Sequence, residues 1–357
     1  MCRKGAWRGR GCSCQGFIMW SILIWMKVSF TQGTMRVIMS LQNIMDMTDC
    51  TLCPRSCRAD RAHGEPGYCR ETAELDLARA ALYHHEEPVI SGRRGSGAVF
   101  FVGCNMGCVY CQNYAIANAM SGHKVSPGRL SEIFLQLQEQ GAENINLVTA
   151  THFLHVVIPA LRRAKAEGLQ IPVVYNTGAY ERVEALQMLE GLVDVYMPDF
   201  KYISPRISLS LSHTPDYFQF ASKALAEMVR QQPRPVFSDG SHEIDCEGDA
   251  DDPLMVRGVL VRHLCIPGCA EDSRDILRYL YTTYGDCIFI SIMNQYTPMP
   301  QVKDDPDLGR ALRQDEYDAI IDYAVSLGIR NGFIQESGTA SQRYIPAFDG
   351  TGILPDA

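Results

Sequence analysis

Between Cys104 and Asn113 the chain reads Cys-Asn-Met-Gly-Cys-Val-Tyr-Cys-Gln-Asn, with Cys104, Cys108 and Cys111 inside eight positions and the next cysteine at Cys246. Thiolates hold iron–sulfur clusters, and a cubane cluster takes four ligands, so a loop supplying three leaves one iron without a ligand from this stretch. Such an open position lets a metal bind and activate a small molecule. Gly107 suits a loop that must fold closely around an inorganic core. The alternative is a structural zinc knuckle, but zinc usually takes four closed ligands in paired CxxC units.

A second group lies upstream: Cys50-Thr-Leu-Cys53-Pro-Arg-Ser-Cys57, followed by Gly64, Gly67 and Cys69. Too few apolar residues lie between these cysteines to form a core, so something else must offset the ordering entropy. Zinc on four thiolates would do this structurally, and an auxiliary iron–sulfur cluster would add redox capacity. Unligated cysteines in a loop are the remaining reading.

The C-x3-C-x2-C spacing, with Tyr110 just before the last cysteine, resembles the radical S-adenosylmethionine (SAM) enzymes. The Cys-Asn-Met-x-Cys-x-Tyr-Cys-Gln-Asn wording is similar to the branch related to pyruvate formate-lyase activating enzyme. The resemblance implies that Cys104, Cys108 and Cys111 hold a 4Fe–4S cluster and that SAM chelates the fourth iron. It further implies reductive cleavage of SAM to a deoxyadenosyl radical, which abstracts hydrogen from a substrate. Related enzymes often carry a cysteine-rich N-terminal segment like Cys50–Cys69.

The elements that must position these residues follow a strand–helix alternation. Ala98–Val102 is an apolar strand running straight into Cys104, which puts the loop at a strand's C-terminal end, where barrel enzymes carry their chemistry. Strands are expected over Ile145–Val148, Ile171–Tyr175, Leu192–Met197, Val256–Leu264 and Ile288–Met293. Helices are expected over Leu130–Gln140, Val156–Glu167, Glu181–Glu190, Asp272–Tyr284 and Asp315–Leu327, and from Thr214 as N-cap with Pro215 at the first helical position to about Gln231. Glu71–Tyr83 reads as helix or edge structure. Six βα steps argue for a parallel sheet with helices outside, an α/β fold. By resemblance to the family it closes as a partial six-stranded (β/α)6 radical-SAM barrel with a small Cys-rich N-terminal segment.

Polar residues just beyond each strand should then face one mouth. They recur at Thr149-Ala-Thr151-His152, Asn176-Thr177-Gly178, Asp199-Phe-Lys201, Arg262-His263 and Asn294-Gln295-Tyr296. The family usually ends its second strand in a glycine-glycine-glutamate motif that holds the SAM amino group; here Thr149-Ala150-Thr151 stands instead, so that contact would fall to hydroxyls and carbonyls. By resemblance Tyr110 lies near the adenine, and Asn176, Asp199, Lys201 and Arg262 contact ribose or carboxylate. His263 reads either as a cofactor contact or as a satisfied core histidine.

At 357 residues and 46% hydrophobic, the chain can bury a full core. A net charge of −8 with no long basic run argues against electrostatic binding to nucleic acid or acidic membranes. Motif-clustered cysteines in so long a chain point to metal or redox chemistry in a reducing compartment, hence the cytoplasm, rather than a disulfide scaffold. Residues 1–47, with basic residues before an apolar run from Phe17 to Met26, read as a leader: disordered, or a spurious early start ahead of Met39, Met45 or Met47. Residues 48–90 form the Cys-rich segment, 91–340 the barrel and 341–357 a tail. Ser91–Gly97 lacks the Gly-Lys-Ser/Thr ending of a phosphate loop and reads as a turn. The acidic run Gln232–Asp252 reads as a solvated insertion.

The sequence thus predicts a cytoplasmic radical SAM enzyme with a 4Fe–4S cluster, SAM and a second metal site. The expected partners are a glycyl-radical-type protein substrate or a small molecule, and an electron donor such as flavodoxin or ferredoxin. The rival is an iron–sulfur electron carrier or redox sensor that does not cleave SAM.

Overall fold

The computed structural model describes residues 44–243, 253–335 and 345–354. The leader up to residue 43, the acidic residues 244–252 and much of the tail lie outside the described residues. Ile44 and Met47, assigned above to the leader, are buried in the main core.

The strands are β1 (Asp76–Tyr83), β2 (Ser96–Phe101), β3 (His123–Lys124), β4 (Ile145–Val148), β5 (Val173–Thr177), β6 (Val195–Pro198), β7 (Val236–Phe237), β8 (Met255–Leu264), β9 (Phe289–Met293) and β10 (Gly332–Ile334). The α-helices are α1 (Pro88–Ser91), α2 (Tyr114–Ala117), α3 (Pro127–Glu139), α4 (Leu154–Ala166), α5 (Val183–Gln187), α6 (Pro205–Ser212), α7 (Tyr217–Gln231), α8 (Ala270–Tyr284) and α9 (Gln314–Leu327). In the sheet β2, β4, β5, β6, β8, β9 and β10 run parallel in that order, with β1 antiparallel on the β2 edge and β3 beyond it. This is a mixed α/β fold with a central parallel sheet, consistent with a partial (β/α) barrel. Strands β2, β4, β5, β6 and β9 are buried along their whole length, as befits a sheet covered on both faces.

Three local expectations need correction. Among the described residues the parallel strands number seven, not six, because Gly332–Ile334 adds to β9. That strand is three residues long and starts on a glycine whose Cβ would stand 2.5 Å from Ile290 O, so neither length nor propensity signals it. Of the two readings of Glu71–Tyr83, edge structure is the one found, as the strand β1. The helix expected over Glu181–Glu190 shrinks to α5, because the Glu181 side chain turns inward to the strand ends. Thr214 is not an N-cap: Asp216 precedes α7, and the Thr214 hydroxyl donates to Ser208 O. Ahead of it lies α6, unforeseen in the sequence, opened by Ser204, whose hydroxyl accepts from Ile207 N, and by Pro205.

At the sheet's antiparallel edge, Gly350 N donates to Ala78 O and Ala80 N to Thr351 O, so the described part of the tail runs along β1. At the N-terminal ends of the strands, α1 buries Val89 and Ile90 beneath the sheet and carries the preceding Glu86 and Glu87 into the interior.

Candidate active site

The cysteine loop leaves β2 through Gly103, whose φ of +83° and crowded surroundings require glycine: a Cβ would stand 2.5 Å from Cys69 O. Gly107, also at positive φ, turns the loop between Cys104 and Cys108. Burial pushes the Cys104 and Cys111 thiols up, Cys108 beside them adds to this, and the Lys201 ammonium acts the other way. The three sulfurs therefore feel one another and the cation on the next strand end but two. Among the described residues no three His, Cys, Asp or Glu side chains close to the spacing needed by one metal ion. In a cluster each thiolate binds its own iron, so its ligands stand further apart than those of a single ion. Three thiols on one loop beside an open cleft are a donor set that fits a cubane cluster with one iron left for a small ligand.

That cleft, about 220 Å³, is bordered by Cys108, Tyr110 and Cys111 at one end and by Glu86 at the other. Seven of the residues expected from strand ends reach it: Thr149, Asn176, Asp199, Lys201, Arg262, Gln295 and Tyr296. Arg262 is the hub. Its guanidinium donates to Glu86 (2.6 Å), Asp199 (2.8 Å) and Asn176 (2.8 Å), while Lys201 Nζ donates to Asp199 at 2.9 Å. Burial alone would raise the Asp199 carboxyl, but the Arg262 and Lys201 charges outweigh it and hold it below its ordinary range. Burial works against the charged forms of Arg262 and Lys201 too, and Asp199 more than compensates, so both stay protonated. Lys201 keeps ammonium protons beyond the one given to Asp199, which suits it to an incoming carboxylate.

Thr149 has φ +64°, a left-handed conformation unusual for a β-branched residue. The backbone at this strand end thus takes a glycine-like shape although the glycine-glutamate wording is missing.

Two of the residues expected to contact the co-substrate are not brought to the cleft. Thr151 is buried and donates its hydroxyl to Glu181 Oε1 at 2.5 Å, joined there by Thr177 and by Tyr175 at 3.2 Å, so it ties β4 to β5. His263 is buried with Nδ1 2.9 Å from Phe200 O and Nε2 2.9 Å from Ser273 Oγ, and burial lowers it to about 4. It is a satisfied core histidine because alternate residues of β8 face opposite sides of the sheet, Arg262 into the cleft and His263 away.

Glu86 was missed. It accepts from Arg262, Asn146 and Asn176 deep in the interior. Its signal was the charged pair Glu86-Glu87 directly before the apolar Pro88-Val89-Ile90, a placement a solvated loop would not need.

The Cys-rich unit docks on the outside of the cysteine loop. A Cβ on Gly67 would lie 3.3 Å from both Cys57 Sγ and Cys69 Sγ, so these thiols close around a glycine. Burial, then Cys69 and Cys50 nearby, push Cys53 up to about 12, and burial lifts Cys69 to about 11. Arg55 donates to Asn105 O, Met106 O, Ser212 O and His213 O and stacks on Tyr68 with its guanidinium carbon 3.8 Å from the ring centre. Buried Arg61 bonds Glu71 O, Thr72 O and His152 O, joining the unit to the sheet. No helix among the described residues is long and apolar enough to cross a membrane.

Several known proteins are similar to this chain. An uncharacterized protein of Methanocaldococcus jannaschii, MJ0674, is 26% identical over 285 residues, spanning 77% of this chain and 74% of that protein. Among solved structures, SuiB of Streptococcus suis bound to its precursor peptide SuiA gives a TM-score of 0.42 at 9% identity, over 66% of this chain and 47% of that one. SuiB bound to S-adenosylmethionine gives 0.42 at 8% identity, over 66% and 49%. This chain matches about half the length of the SuiB chains. Residues 98–233, which hold Cys104, Cys108, Cys111, Thr149, Asn176, Asp199 and Lys201, match the model of the radical SAM superfamily.

Proposed function

We propose that the protein is a radical SAM enzyme in which Cys104, Cys108 and Cys111 hold a 4Fe–4S cluster and the adjoining cleft takes S-adenosylmethionine. The observation that carries this reading is the meeting of Cys108 and Cys111 with Lys201, Asp199, Asn176 and Arg262 in one cleft, with Cys104 beside them on the other face of the same loop. When bound, the reduced cluster and SAM supply a deoxyadenosyl radical for hydrogen abstraction. The chain's own part is to bind and orient. Lys201 is the cation for the SAM carboxylate, Asn176 and Asp199 accept from ribose hydroxyls, and Tyr110 flanks the adenine. Thr149 offers its hydroxyl and carbonyl where relatives use a glutamate. The ion-pair hub around Arg262 fixes these groups before the co-substrate arrives, so little reorganisation is needed on binding.

Within the superfamily, the wording around the cysteines supports the branch of pyruvate formate-lyase activating enzyme, and with it activation of a partner protein by hydrogen abstraction. A flavodoxin or ferredoxin is the fitting electron donor, and the reducing cytoplasm the fitting compartment for so many thiolates. Cys57 and Cys69 closing around Gly67 support a second metal centre with Cys50 and Cys53, zinc or an auxiliary cluster; the four thiols do not stand at the spacing of a single ion, which favours the cluster, and metal analysis of the purified protein would distinguish the two.

The test is anaerobic: reconstitute, reduce, add S-adenosylmethionine and quantify deoxyadenosine beside a Cys104→Ala, Cys108→Ala, Cys111→Ala variant. Cluster-dependent deoxyadenosine is the expected result. A fully loaded, reduced cluster that neither cleaves SAM nor changes its EPR signal on adding it would instead make the protein an electron carrier or redox sensor.

A further inference from the structure

Behind the cysteine loop a file of buried hydroxyls ends on one sulfur. Ser212 Oγ lies 3.0 Å from Cys108 Sγ, the Tyr202 hydroxyl lies 2.7 Å from Ser212 Oγ, and the Tyr110 hydroxyl lies 2.6 Å from that of Tyr202. All three side chains are buried, at 0%, 1% and 5% exposure for Ser212, Tyr202 and Tyr110, so bulk water does not compete for these bonds. Cys104 Sγ, by contrast, accepts from the backbone N–H of Met106 at 3.4 Å.

We infer that Ser212, oriented by Tyr202 and Tyr110, is a positioning residue that sets the reduction potential of the iron–sulfur cluster by donating a hydrogen bond to Cys108. The inference rests on the reading that Cys108 is a cluster ligand. A ligating thiolate has no proton and can only accept. Ser212 must then donate to it, which makes Tyr202 the donor to Ser212 and Tyr110 the donor to Tyr202. Each hydroxyl has one proton, so the whole file is committed in one direction, and each bond polarises the next. A donor on a cluster sulfur stabilises the added negative charge of the reduced state and raises the potential. Low local polarity strengthens the effect. The file is also held in register. Arg55 Nη2 donates to Ser212 O at 3.0 Å, and Val109 N donates to Leu211 O at 2.9 Å, pinning the end of α6 to the cysteine loop from both sides. Because Tyr110 borders the cleft, the file also joins the co-substrate's surroundings to a cluster sulfur.

The experiment is a redox titration of the full chain, reconstituted anaerobically and followed by the EPR signal of the reduced cluster, with iron and sulfide counted per chain. Ser212→Ala is expected to keep its iron and to move the reduced-to-oxidised ratio about tenfold toward oxidised at any set potential, which is ~59 mV lower for a one-electron couple. Ser212→Thr, which keeps the hydroxyl, should titrate close to the wild type. Tyr202→Phe should shift in the same direction but less, since the serine hydroxyl is left free to turn away. A merely structural role would alter iron content without moving the potential of clusters that remain. An unchanged potential in fully loaded Ser212→Ala overturns the inference; if that variant loads poorly, an unchanged potential in Tyr202→Phe does so. Wild-type protein that takes up no iron would overturn the cluster reading itself, and this inference with it.

Discussion

Replacing Arg55 by alanine removes one side chain that holds two chain segments against the Cys-rich unit. Its guanidinium reaches Asn105 O at 2.8 Å, Met106 O at 2.9 Å, Ser212 O at 3.0 Å and His213 O at 2.5 Å. The bond to His213 is solvent-exposed, so water can replace it and it is left out of the sum. The other three are partly buried and partly screened, so each is set at the typical net value of an intramolecular hydrogen bond, about 1 kcal/mol. The stack on Tyr68, itself 41% exposed, adds only about 0.5 kcal/mol. The expected loss is therefore about 3.5 kcal/mol, or a fall in Tm of roughly 7 °C at ~2 °C per kcal/mol for a chain of this size. Arg55→Lys keeps the charge but offers a point donor in place of a planar fork, and should recover less than half. Thermal unfolding of apo protein reads the stability, and iron per chain after reconstitution reads whether the cysteine loop still holds its shape. A loss under about 0.5 kcal/mol, or a lysine variant equal to wild type, would refute the claim that this fork organises the loop.

Glu87 predicts a pH dependence. Burial pushes its carboxyl from 4.5 up to about 7, against the opposing pull of Arg262. Between those values the folded chain keeps a proton that the unfolded chain has released, so stability falls as pH rises through the window, by about 3 kcal/mol in all. Urea unfolding at pH 5, 6, 7 and 8 should show that slope in wild type and a flatter one in Glu87→Gln; equal slopes would argue against it. Gly103→Ala should cost about 3 kcal/mol, since its φ is +83° and the new Cβ would meet Cys69 O at 2.5 Å and Glu71 Cγ at 2.7 Å. Its signature is joint loss of Tm and of iron from the loop; a variant matching wild type in both would show that the Cys-rich unit yields freely there. Thr149→Gly should relieve the strain of φ +64° and, after glycine's entropic cost, gain up to about 1 kcal/mol. A clear loss of stability would mean that the threonine side chain contributes more than its backbone costs.

The cysteine loop, the βα alternation and most strand-end polar residues could be read along the chain because each is local. Three thiols in eight positions, apolar runs bounded by glycines, and Asp199 two residues from Lys201 need no knowledge of distant contacts. Periodicity failed where the signal was short or shared. Strand β10 has three residues, and α6 lay hidden beside the proline that seemed to open α7. Threonine and histidine at strand ends carry the same letters whether they face the cleft or the core. Thr151 and His263 went to the core because Glu181 on one side and Ser273 and Phe200 on the other satisfied them there. The partners of Glu86 and of Arg55, and the Ser212–Tyr202–Tyr110 file, could emerge only from tertiary structure. Glu86 meets Arg262 across 176 positions, Arg55 meets Ser212 across 157, and Ser212 meets Cys108 across 104. The sequence by itself determined which groups can do chemistry, since that depends on residue type and near spacing. Folding decided which of them face one cleft, and what surrounds each sulfur, because burial and partnership are set by chain segments far apart in sequence.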